Sequence, residues 1–532
     1  MQQDLIIAGA RIIDGTGAPW FRGDLRVSDG RIAAVGPDLP RDGAEVVAAA
    51  DRFLAPGFID AHCHDDLAFL RERTRPEKAL QGVTSIVVGN CSFSLYPAPE
   101  HAKDLLRGHF GGLLGETARE EVFPDLDAYR AALETHGIAL NLVSLVGHGA
   151  LRLAVMGYER RAATADEIRA MQALLRPQLR AGAAGLSLGL VYPPSAFADR
   201  AELVALAETV RAEGAILAAH VRSYEANLLR SIEEFIDILA ASRAPGLLSH
   251  LQSAGRPNWG QIPRALARLE AARADGIDIS FDMYPYPAGS SYMLQLLPPW
   301  AQEGGMAALL ARLHDPAQRA ALKQWVEEGS NDGHGQSKIS LIGWGNVLIS
   351  GVGAPALKPL EGQRMDEAAA DLRITPFDLL VRFVEEDQGQ TAIVMFQLDD
   401  GDLQAACCHG LHMVGSDGLP RPGTRPHPRA FGTFPRMLGP LRRERHWFSL
   451  EDAVRHMTAT AAQRFGLGSR GLIRPGMAAD LTLFEDNVTD HATFEDPVQA
   501  PSGITDVWVA GEAVVSGGTV TGRLPGKVLA RG

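Results

Sequence analysis

His62 and His64, separated by Cys63, close the apolar run that begins at Phe53 and reaches Asp60. On an extended strand, residues two apart project from one face, so both imidazoles would enter one space, as two ligands of one metal ion must. Other donors stand at the ends of other apolar runs: Cys91 after Val83–Asn90, His220 after Ala215–Ala219, His250 after Gly246–Ser249, and Asp417 within Met413–Gly418. Each has an ordinary reading by itself. A strand histidine is commonly a partnered polar group, a buried cysteine a small hydrophobe, and an aspartate between glycines a turn residue. Their coincidence at the ends of several strands argues for a metal site. Zinc suits imidazole and thiolate, and a carboxylate ending the last strand is well placed to take a proton from a metal-activated water.

These donors converge only if the strands form a closed parallel barrel with the donors at its C-terminal mouth. Eight candidate strands span Phe53–His64, Val83–Cys91, Ala139–Gly147, Ala184–Tyr192, Ala215–Arg222, Gly246–Gln252, Ile277–Tyr284 and Leu411–Asp417. Most intervals carry a helical pattern, such as the one opened by Thr164 and Glu167 as a capping box. The expected fold is a (β/α)8 TIM-like barrel. The interval from Pro285 to Gly410 is too long for one crossover and holds strand-like runs at Ile339–Ile342 and Thr391–Met395. It reads as an insertion between barrel strands 7 and 8, spanning about residues 288–400 and placed over the mouth. Both ends of the chain are β-branched and glycine-broken, which predicts a composite β-sandwich domain made from residues 1–55 and 468–532 around a barrel of residues 56–467.

A formal charge of −13 over 532 residues, with no basic stripe, argues against a nucleic acid or acidic membrane partner. A small molecule is the expected partner; self-association stays open. No signal-peptide pattern opens the chain and no apolar run is long enough to span a bilayer, so a cytoplasmic location is expected. Four cysteines are too few for a disulfide framework at this length, and a reducing compartment would suit Cys63 and Cys91. Gly185–Gly189 matches a nucleophile-elbow pattern, but Tyr192-Pro193-Pro194 follows where a helix would have to start, so Ser187 is not expected to be a nucleophile.

The chain resembles the amidohydrolase superfamily and, within it, the N-acyl-D-amino-acid deacylases (D-aminoacylases). The resemblance runs from Ile12-Ile13-Asp14-Gly15-Thr16-Gly17 through Pro56–His64, Gly89-Asn90-Cys91, Gly147-His148-Gly149, Tyr284-Pro285-Tyr286, Val414–Gly418 and His427-Pro428-Arg429 to Ile473–Leu481. It implies a tight zinc site of Cys91, His220 and His250, a second site at His62 and His64 that is weak or empty, and Asp417 as the catalytic acid and base. It further implies hydrolysis of the amide of N-acyl-D-amino acids. Arg429 is the expected fork for a substrate carboxylate, a geometry guanidinium suits. Tyr284 and Ser290 resemble the substrate-contacting segment, Tyr192 is expected to line the same pocket, and His148 is expected to orient a ligand without being one.

One departure bears on specificity. The deacylases commonly continue past Ser249-His250 with a histidine and a lysine, whereas this chain has Leu251 and Gln252. If that lysine helps to hold the carboxylate, Gln252 removes a charge. The alternative reading therefore keeps the chemistry and changes the substrate to another linear or cyclic amide or imide. A catalytically silent scaffold would show lost ligands, and none is lost here.

Overall fold

Eight short parallel strands end where the apolar runs end: Phe58–Asp60, Val83–Val88, Asn141–Gly147, Gly185–Gly189, Ile216–His220, Gly246–Leu248, Ile279–Met283 and His412–Val414. Every one of their residues is buried, as a sheet covered on both faces requires. The strands are hydrogen-bonded in ring order. The first and eighth meet through Ala61 N–H to Val414 O (3.0 Å), Asp417 N–H to His62 O (2.7 Å) and His64 N–H to Gly418 O (3.0 Å). The last two bonds lie beyond the strand ends, so closure of the barrel itself brings His62, His64 and Asp417 together. This is a computed structural model, and it describes residues 4–329, 336–421 and 423–531.

The expected first strand, Phe53–His64, is broken at Gly57. Phe53–Pro56 pairs antiparallel with the strand that opens at Leu481, whereas Phe58–Asp60 pairs parallel with the second barrel strand. The crossing is tight: a Cβ on Gly57 would come within 2.2 Å of Thr84 Oγ1. The fold is thus a (β/α)8 barrel joined, through this one run, to a β-sandwich domain drawn from both ends of the chain. That domain's nine strands comprise five from Leu5 to Pro56 and four from Leu481 to Val520. Ile7, Leu25, Leu54, Leu481 and Trp508 pack in its core. The chain then returns to the barrel, where Gly526 and Leu529 donate to Ile138 O and Leu142 O.

Between the seventh and eighth barrel strands lies the insertion, with a three-stranded antiparallel sheet of Ala288–Tyr292, Ala392–Phe396 and Val347–Gly351, in that order. It has a core of its own, including Met293, Leu322, Ile349 and Phe377. The run Ile339–Ile342, read as strand-like, is instead in a helix, Lys338–Ile342. Its ends explain the difference. Ser337 Oγ caps the start by accepting from Ser340 N–H (3.2 Å), and Gly343 at φ 76° stops it, so capping outweighs the β-branched composition. The Thr164–Glu167 capping box forms as expected. Among the described residues no helix is long and apolar enough to cross a membrane.

Candidate metal centre and active site

Cys91 Sγ lies 3.4 Å from His62 Nε2, 3.6 Å from His220 Nδ1 and 3.5 Å from His250 Nε2. Zinc bonds of about 2.3 Å to sulfur and about 2.05 Å to nitrogen, at tetrahedral angles, would separate such atoms by about 3.5 Å. The three sulfur-to-nitrogen spacings are those that zinc requires, and all four residues are buried. His62 Nδ1 lies 3.3 Å from Asp282 Oδ2. A proton on Nδ1 given to that carboxylate leaves the Nε2 lone pair facing Cys91, the usual support for a metal-bound imidazole.

Two overlapping groups emerge: His62, Cys91 and His250, and His62, His64 and Asp417, the donor atoms within each lying within 4.8 Å of one another. His62 has donor spacing to both groups, and His220 approaches the first through Cys91, 3.6 Å from its Sγ.

In the absence of a cation, burial pushes the Cys91 thiol up to about 11, against the opposing influence of His62. Burial also lowers His250 to about 4, so its imidazole is neutral and free to ligate. For His62, burial is outweighed by Asp282 and then Cys91, which raise it.

Asp417 Oδ1 sits 3.2 Å from His64 Nε2, and Oδ2 accepts from Arg429 Nη2 at 2.9 Å. Burial alone would raise this carboxyl. Arg429, then His64, outweigh it and hold Asp417 well below the usual carboxylate range. Arg429 is fully buried and its guanidinium lies 4.4 Å from the centre of the Tyr284 ring. Its Nε and Nη1 have no hydrogen-bond partner among the described residues, leaving donors for a further anion. Tyr284 donates to Gln252 Oε1 at 2.7 Å. Ser290 differs from expectation: its hydroxyl donates to Ile393 O (3.0 Å), and its carbonyl is the group that faces Arg429 Nη2, at 3.4 Å. Tyr192 presents its ring edge to His220, centres 5.0 Å apart. With Gln252, Tyr284, Ser290 and the metal-site side chains it lines an inner cavity of about 30 Å³.

The backbone is bent to aim these groups. Cys91 (φ 53°), His250 (φ 34°) and Asp417 (φ 48°) all adopt left-handed conformations, which non-glycine residues keep only where the surroundings impose them. Two residues before Cys91, Gly89 has φ +79°, and a Cβ there would lie 2.1 Å from Leu145 O. Asn90 fixes the same turn, donating to Cys63 O and Val87 O at 3.2 and 2.9 Å.

His148 was expected to orient a ligand, and the partner it has is acidic. Its Nε2 pairs with Glu202 at 2.7 Å, and Glu202 also binds Arg152, in a buried triad. Ser187 Oγ accepts from Ser92 N–H at 3.1 Å, a supporting role for the Cys91 turn. The sequence reading passed over Asp282, which supports His62 and accepts from His250 N–H at 2.9 Å. It stands one residue before the end of the seventh strand, Ile279–Met283, close to where the other donors were found. Lys338, paired with Glu225 at the rim, carried no such signal.

A closed parallel barrel whose strand ends gather imidazoles, a cysteine and an ion-paired aspartate is the architecture of a metal-dependent hydrolase. The chain matches the model of the amidohydrolase family over residues 45–322 and 343–515. It is 38% identical to a D-aminoacylase of Alcaligenes xylosoxydans xylosoxydans, over 99% of this chain and 98% of that protein. A crystal structure of a D-aminoacylase superposes with a TM-score of 0.83 at 36% identity, covering 100% of both chains. The N-acyl-D-glutamate deacylase of Bordetella bronchiseptica, solved with zinc and a phosphonate inhibitor that mimics the tetrahedral intermediate, gives 0.82 at 33%, again over 100% of both. The chain belongs to the amidohydrolase family, in the branch that contains the N-acyl-D-amino-acid deacylases.

Proposed function

We propose that this protein is a zinc-dependent hydrolase that cleaves the amide of N-acyl-D-amino acids, releasing a carboxylate and the free D-amino acid. The observation that carries the reading is the spacing of Cys91 Sγ from three imidazole nitrogens, 3.4–3.6 Å, beside an ionised Asp417. Zinc held there by Cys91, His220 and His250, with His62 at the junction to a second position shared with His64, would activate water and polarise the amide carbonyl. Asp417, kept ionised by Arg429, takes the proton of the attacking water. As the C–N bond breaks, the same carboxyl returns that proton to the departing nitrogen, so the carboxylate is regenerated. Arg429 offers its unpartnered Nε and Nη1 donors to the substrate carboxylate, beside the Tyr284–Gln252 pair. The D configuration rests on the relatives. Four unpaired cysteines support a reducing, cytoplasmic setting.

The test is amine release from matched N-acetyl-D- and N-acetyl-L-amino acids by protein of measured zinc content. Release from D compounds alone is expected. Equal release from both hands, or release only from cyclic amides, would overturn the substrate assignment.

A further inference from the structure

The inner cavity is too small for a whole N-acyl amino acid, but it opens at Tyr192, Gln295 and Lys338 into a cleft of about 680 Å³. A volume of that order is what pockets that bury whole ligands provide. The cleft runs between the segments after the fourth and fifth barrel strands and the inserted domain. Val191, Tyr192, Phe197, Tyr292, Leu297 and Trp325 give it one apolar wall, and much of the rest of the lining is charged, with Arg200–Asp237, Arg222–Glu234 and Lys338–Glu225 held as ion pairs. Tyr192 and Tyr292 stack with centres 5.7 Å apart. At the junction Gln295 Oε1 is buried without a partner among the described residues, as is Trp325 Nε1 deeper in.

The position of the cleft relative to the carboxylate groups decides which part of the substrate enters it. Gln252, Tyr284 and Arg429 follow the sixth, seventh and eighth barrel strands, whereas the barrel side of the cleft follows the fourth and fifth. A trans amide places the first carbon of the acyl chain and the Cα of the amino acid on opposite sides of the C–N bond. With the carboxylate held at Arg429 and the carbonyl at Cys91 and His250, the acyl group points to Tyr192 and the cleft.

Building on the deacylase reading, we infer that this cleft is an acyl subsite and that the preferred substrates carry an extended apolar acyl group, a medium-length alkanoyl or an arylacetyl, in preference to acetyl.

The experiment compares zinc-loaded full-length protein on one D-amino acid acylated with acetyl, butanoyl, octanoyl or phenylacetyl groups. Burial of apolar chain is worth about fourfold per methylene, so octanoyl and phenylacetyl substrates should exceed acetyl at least tenfold in kcat/KM. Val191→Trp and Ala196→Trp, made separately, fill the cleft from two positions. Each should lower the octanoyl value at least tenfold more than the acetyl value, and if one variant fails to fold the other still decides. A flat acyl series in the wild type, or an octanoyl-to-acetyl ratio unmoved by a folded variant, overturns the acyl subsite while leaving the deacylase reading intact. Should no compound be hydrolysed, the deacylase reading fails. Calorimetric binding of the same series then judges the cleft, and equal affinity across the series overturns it.

Discussion

At the scale of single residues, the centre depends on two groups whose charge the fold sets in opposite directions. Asp417 is ionised because Arg429 lies against it, so its role as acid and base can be separated from metal binding. Asp417→Asn should lower kcat about 10³-fold, the usual worth of general acid–base catalysis, with zinc content retained; near-normal turnover by the zinc-loaded variant would remove that role. Cys91 is the converse case, a thiol raised to about 11 in the absence of metal. Zinc takes the thiolate, so between pH 6 and 9 each bound ion must displace the Cys91 proton, and affinity should rise about tenfold per pH unit from this group. Calorimetry in buffers of differing ionisation enthalpy measures that proton, and uptake with no proton release would contradict it. His62, His64, Cys91, His220, His250 and Asp417 were legible in the sequence because each follows an apolar run. The roles of Ser290 and His148 were less so, because each depends on a partner far away in the chain, Ile393 and Glu202.

At the scale of elements, strand ends and turns carry the precision. The left-handed backbone at Cys91, His250 and Asp417 is held by neighbours, and the turn into Cys91 is held by Gly89 and Asn90. Gly89→Ala must either leave φ +79° or drive its Cβ into Leu145 O. The expected cost is about 3 kcal/mol or more, read as a lower urea midpoint; an unchanged midpoint would show that the turn relaxes freely. Elements with a strong internal period were readable from sequence, the barrel strands above all. The break at Gly57 was hidden because Phe53–Asp60 is one continuous apolar run serving two sheets. The helix at Lys338–Ile342 was hidden because its cap residues, not its β-branched interior, decide its form.

At the scale of the whole molecule, the ligands come from strand ends spread around the barrel ring: the first, second, fifth and sixth strands, with Asp417 after the eighth. A metal ion at Cys91 therefore ties distant parts of the ring together, and binding to the folded state alone stabilises all of it. The inserted domain supplies Gln295, Lys338 and the outer wall of the cleft. On the proposed reading the barrel provides chemistry and the insertion choice of substrate, the division expected when one fold serves many reactions. Whether a cysteine-centred zinc site drives amide hydrolysis is decided by stripping the metal and titrating zinc back while following activity and melting temperature together. Both should rise and reach their plateau at one zinc per chain in the wild type, with neither responding at that stoichiometry in Cys91→Ala. Full activity in the stripped protein, or identical titrations for the two, would contradict it.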